Sequence, residues 1–185
     1  MRRLFAALLA SVTVAVAADT PRAGGLQSDP WQPVRFLLGR WEGAVQGESG
    51  NGTVVRSYEF MLSGRFIEER NVSTYPAQAK NRKGEVHEHR SFISYDKLRG
   101  KLVLRQFHQE GFVNTYVFNP AESTSTVRVF DSESFENLDS GFKARETYEV
   151  YSNDEFIETF EVAEPGKPFD LYSRTRFTRV GRAAG

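Results

Sequence analysis

At Gly39 the hydrophobic period of this chain changes. Ahead of it, Ser28-Asp29-Pro30 reads as a helix start, a capping residue followed by proline at the first helical position. Trp31, Val34, Phe36, Leu37 and Leu38 then give a short segment one apolar side. Gly39 stands where a helix end needs positive φ. From Trp41 onward the apolar residues recur at every second position. Ten such runs follow, at residues 41–46, 54–62, 66–75, 86–95, 101–108, 112–118, 126–130, 142–151, 155–162 and 169–180. Gly, Pro, Asn and Ser clusters separate them, among them a Gly-rich turn at 48–52. A spacing of about 8–12 residues belongs to all-β sandwiches and barrels. Alternation with one apolar face is the mark of antiparallel sheets, and closure removes the exposed edges of so wide a sheet. The expected fold is all-β: one closed antiparallel barrel of about ten strands over 29–180, with a short N-terminal helix at its plugged end.

The segment before the barrel carries a different signal. Met1-Arg2-Arg3 is a basic start, and residues 4–17 are apolar except for Ser11 and Thr13. Ala15-Val16-Ala17 is a small-residue cleavage pattern. This predicts a secretory signal peptide over 1–17, cut near 17/18, and too short to span a bilayer. A flexible leader at 18–28 and a tail at 181–185 complete the expected organisation. The predicted location is therefore periplasmic or secreted, with no integral membrane segment in the mature chain. There is no Cys, which removes a lipid-anchored cysteine, a thiolate metal site and a disulfide framework. Stability must come from the core, for which 15 Phe, 7 Tyr and 2 Trp supply bulk. Loss of Arg2 and Arg3 takes the charge from 24 basic against 24 acidic residues to 22 against 24. No basic excess is left to neutralise phosphates, so nucleic acid is not an expected partner.

The first strand carries a resemblance. Gly39-Arg40-Trp41 resembles the Gly-x-Trp signature of the calycins, the superfamily of lipocalins and fatty-acid-binding proteins. The longer stretch Phe36-Leu37-Leu38-Gly39-Arg40-Trp41-Glu42-Gly43 is similar to the nitrobindin-like, haem-binding β-barrel branch and to related bacterial secreted domains. The resemblance implies that a basic residue of the last strand packs across the tryptophan and ties down the helix. Arg174 and Arg176 are the candidates taken from this sequence. The physical rationale is independent: a large ring with an N–H handle can stopper a barrel, and a guanidinium can stack on it. The branch also implies haem ligated by a histidine of the last strand, but residues 169–180 contain none.

Polar residues inside the apolar series point to a site. Glu146 shares a face with Phe142, Ala144, Tyr148 and Val150, and Glu158 with Phe156, Phe160 and Val162. The same reading puts Arg56 with Val54, Tyr58 and Phe60, and Glu68 and Arg70 with Phe66 and Val72. A buried charge is costly unless paired, so several such charges predict a partly wet lumen rather than a solid barrel. Arg56, Arg70, Arg90, Arg105 and His108, with Glu146 and Tyr148, are the candidate lining. They are expected to hold the acidic or polar head of a small amphiphile. His87 and His89 share a strand face, and His108 could join them. Beside Glu85, Glu88 and Arg90 the pair reads as a polar outer face, and no metal is assigned. No Gly-x-Ser-x-Gly, HExxH or phosphate loop is present. The expected function is non-enzymatic: an exported barrel holding a small hydrophobic or amphiphilic molecule. A haem-binding nitrobindin-like protein and a filled barrel without ligand are the alternatives.

Overall fold

A computed structural model describes residues 29–138 and 140–181. The expected signal peptide and leader, and residues 182–185 of the expected tail, lie outside the described residues. Ten strands follow one another: β1 (Gly39–Gly47), β2 (Gly50–Met61), β3 (Phe66–Tyr75), β4 (Glu85–Asp96), β5 (Lys101–His108), β6 (Val113–Phe118), β7 (Val127–Glu136), β8 (Lys143–Ser152), β9 (Glu155–Ala163) and β10 (Asp170–Gly181). Each is antiparallel to the next, and β1 pairs with β10 to close the barrel. Among the described residues no sheet edge is left unpaired.

Most strand boundaries shift by a residue or two from the sequence expectation, and three of the shifts have a visible cause. The Gly-rich turn shrinks to Glu48 and Ser49, because Gly50, at φ +98°, returns the chain straight into the ladder. Strand β7 runs on to Glu136, where pairing with β6 replaces the missing apolar alternation. Strand β10 takes in Gly181, the first residue of the expected tail, through its pairing with Arg40.

One end of the barrel is stoppered. Gln32–Leu37 forms a 3-10 helix that buries Val34 and Leu37. Trp41 is fully buried beneath it and meets Phe156 edge-to-face, with centroids 4.6 Å apart. The carbonyls at the end of so short a helix lack internal partners; two side chains supply them, and a third binds a carbonyl near its start. Trp41 Nε1–H donates to Leu37 O at 2.6 Å. Arg179 donates to Phe36 O at 2.8 Å and also to Leu38 O. Arg128 donates to Pro33 O at 2.9 Å. The Arg179 guanidinium also lies 4.0 Å from the Trp41 ring centroid.

The guanidinium expected from Arg174 or Arg176 therefore comes from Arg179. Strand parity is the reason. Trp41 pairs directly with Arg179, and β10 turns Thr175, Phe177 and Arg179 inward. Arg174 and Arg176 fall on the opposite face, where they are exposed and pair with Glu149 and Glu155.

Trp41→Ala is expected to cost ~3–5 kcal/mol, the range for deleting a fully buried large ring. Arg179→Ala is expected to cost ~2–4 kcal/mol, since it strips two carbonyls and a stacked ring of their partner. Arg174→Ala and Arg176→Ala should each stay within ~0.5 kcal/mol of the parent. Urea denaturation of the four variants measures the contrast, and equal losses for Arg176 and Arg179 would contradict it.

Candidate functional site

The β1–β2, β3–β4, β5–β6, β7–β8 and β9–β10 connections gather at the end opposite the stopper. A cavity of about 330 Å³ occupies that half of the lumen. Its upper wall is apolar, with Phe112, Phe135, Phe142 and Phe160 around Val45 and Val54. Its floor is polar and charged.

Arg56 of β2 organises the floor. Its guanidinium makes a two-pronged contact with Glu158 of β9, at 2.6 and 3.0 Å. Its Nε lies 2.8 Å from Asn71 Oδ1 and 3.0 Å from Glu69 Oε1, both on β3. Phe177 packs under its plane at 4.5 Å. Only 5% of Arg56 and 1% of Glu69 is exposed, so both charges depend on each other and on Glu158. Burial works against ionisation of Glu69, but Arg56 and the His89 hydrogen bond hold its carboxyl down at about 2.

Glu146 of β8 stands apart from this cation. Gln106 Nε2 donates to one of its oxygens at 2.7 Å, and the Tyr148 hydroxyl donates to the other. Burial, reinforced by the negative charge of Glu158, pushes Glu146 up to about 8. Near neutral pH the floor thus holds the Arg56 guanidinium beside an ionised Glu69, with Glu146 as a carboxylic acid.

Three imidazoles form the adjoining wall. His87 and His89 of β4 and His108 of β5 have ring centroids 5.2–5.8 Å apart. His87 Nδ1 lies 2.9 Å from Glu110, and His89 Nε2 lies 3.2 Å from Glu69. His108 stacks on Phe112 at 4.1 Å and meets Asn114 Nδ2 at 3.3 Å. Burial, with the neighbouring His89 and His87, takes His108 down to about 3. Among the described residues, Asn114 Oδ1 is buried without a partner.

Of the sequence candidates, the structure brings Arg56, His108, Glu146 and Tyr148 to the inner face. Tyr148 lies below the cavity, in the core against Phe156 and Phe130. Arg70, Arg90 and Arg105 point outward, which corrects the expectation for all three. Strand β3 buries Ile67, Glu69, Asn71 and Ser73, so Phe66, Glu68, Arg70 and Val72 make its outer series. The assumed register was one residue off, and such a slip inverts a whole strand. On the outside Glu68 bridges Arg70 at 3.0 Å and Arg90 at 2.8 Å, while Arg105 reaches the Ser94 hydroxyl at 3.1 Å. His87 and His89 are corrected the other way, from outer face to lumen. Glu69, Asn71, Gln106 and Asn114 were missed. The short β2–β3 turn held the clue: pairing Met61 with Phe66 sets Arg56 opposite Asn71, hence on the same face.

Removing Glu158 should cost ~3–5 kcal/mol in Glu158→Ala, because Arg56 stays buried with too little negative charge. Glu146 adds a pH dependence. Its folded value of about 8 lies above the ordinary 4.5, so the folded state holds the proton more tightly. Its stabilising contribution is complete below pH 4.5 and is lost as pH rises through 8. Glu146→Gln should therefore gain on the parent across that window, by on the order of a few kcal/mol. Denaturation midpoints of both proteins against pH test this; parallel curves would contradict it.

No family model and no curated protein matches this chain. Among solved structures, it is similar to the crystal structure of Rv2717c from M. tuberculosis. That likeness has a TM-score of 0.62 at 15% identity, and covers 81% of this chain and 96% of that one. At this identity the likeness is one of fold: a closed antiparallel barrel.

Proposed function

We propose that this protein is an exported, non-enzymatic binder of a small amphiphile, held in the open half of a calycin-like barrel. The cavity carries the reading. At about 330 Å³ it lies at the small end of the range for ligand pockets, and an apolar wall stands over a few converging polar groups. The stopper supports the calycin comparison: a Gly-x-Trp ring is clasped by a guanidinium of the last strand, under a short helix. Export draws its support from the basic start, the apolar run and Ala15-Val16-Ala17.

The floor chemistry refines the guest. Arg56 is already shared between Glu158 and Glu69, so no guanidinium is left for a carboxylate head. The nearby negative charges disfavour an anion further. A neutral or cationic head suits this floor better, donating hydrogen bonds to its carboxylates with its chain against the phenylalanines. The haem alternative has weaker support. A porphyrin leaves its iron one axial position per face, whereas three imidazoles crowd one wall here and β10 carries no histidine.

Native mass spectrometry of protein taken from its own compartment should reveal a retained small molecule. In chelator-containing buffer, alkanols or alkylamines should bind at least ~10-fold more tightly than carboxylates of equal length, a difference of about 1.4 kcal/mol. Ala144→Phe, which adds a ring to the cavity wall, should abolish binding and leave the fold intact. Retained binding in that variant, with the parent's affinity, would place the guest elsewhere.

A further inference from the structure

The histidine wall has a geometry that lumen binding does not use. His89 and His108 are direct partners across β4 and β5, and His87 lies two residues along β4 on the same inner face. One nitrogen from each ring can be chosen so that all three lie within 4.8 Å of one another. His87 Nε2 and His108 Nδ1 are 3.4 Å apart, long for a hydrogen bond. Three imidazoles around a tetrahedral ion, at about 2.0–2.1 Å each, hold their nitrogens about 3.3 Å apart and their ring centres about 5 Å apart. The rings already stand near that spacing.

The outer partners are also in place. Glu110 faces His87 Nδ1 and Glu69 faces His89 Nε2. A carboxylate there takes the N–H, fixes the tautomer and leaves the other nitrogen's lone pair to coordinate. His87 is thereby left with Nε2, the atom facing His108, and His89 with Nδ1, which lies 3.4 Å from the Asn71 amide nitrogen and exchanges that contact for the metal. All three rings line the cavity.

We propose that His87, His89 and His108 form a site for a divalent transition metal of the zinc class, with its fourth position turned to the lumen. An all-imidazole set suits zinc, copper or nickel better than calcium or magnesium. Three protein ligands with one open position is the pattern of sites that take water or a guest on the metal. The site stands whether or not the lumen takes an organic guest.

Cobalt(II) titration of the chelator-treated mature chain tests this, because tetrahedral cobalt absorbs far more strongly in the visible than octahedral cobalt. We expect one equivalent to give intense tetrahedral bands, bleached by one equivalent of zinc. His89→Gln and His108→Gln, checked for folding by circular dichroism, should each lose the bands. Glu85→Ala should keep them. That variant separates the lumen site from a rival surface chelate of Glu85, His87 and Glu110. Faint octahedral bands, no binding by folded protein, or bands lost in Glu85→Ala but kept in His108→Gln would each overturn the assignment. If both histidine variants fail to fold, the wild-type spectrum with Glu85→Ala decides the question.

Discussion

The closure of β10 on β1 depends on one guanidinium stacked on one indole. Arg179 is held by the Trp41 ring and by two helix carbonyls at once. It therefore joins the last strand, the first strand and the helix before it in a single contact. Ladder hydrogen bonds alone can tolerate a slip in register; this contact cannot. Its position also explains why the barrel is stoppered at this end and hollow at the other. Trp41 sits near the beginning of β1, so in an antiparallel pair its partner must sit near the end of β10.

That contact sets the parity of much of the barrel. Arg179 pairs with Trp41, Trp41 with Arg56, Arg56 with Asn71, Asn71 with His89, and His89 with His108. Directly opposed residues of neighbouring strands share a face. Once the indole points inward, the whole series must do so. One belt thus runs from the stopper to the histidine wall, across six strands. The floor of the cavity and its closure are consequences of the same register.

The strand rhythm was legible in the sequence because it rests on a local property, the side-chain period of two. So was the stopper, because a lone Trp after a short helix and Gly39 has few other places to go. The facing of β3 was not legible from that strand alone. Both its series carry apolar residues: Phe66 and Val72 on one, Ile67 on the other. In a wet lumen the inner series can be the more polar, as with Glu69, Asn71 and Ser73. Hydropathy then points the wrong way, and Arg70, Arg90 and Arg105 were misplaced together. The missing information was long-range. It lay in which residue of β2 opposes which of β3, a matter for the turn at Met61–Phe66 and not for any pattern within a strand. The same holds for Arg174 and Arg176, whose even positions conflict with the inward Phe177.

The two halves of the lumen follow different physics. Near the stopper, Trp41, Phe156, Phe177 and Leu37 exclude water, and burial itself supplies the stability. Beyond Arg56 the interior turns polar, and each charge is tolerable only through its neighbours. Replacing such a network with packed apolar side chains is often neutral or stabilising. Cohesion alone therefore gives no reason for an Arg, two Glu, three His and three amides around one cavity. Their presence fits the lumen-binding role proposed above. The dry half makes that polarity tolerable, since apolar burial near the stopper supplies stability that the polar half does not.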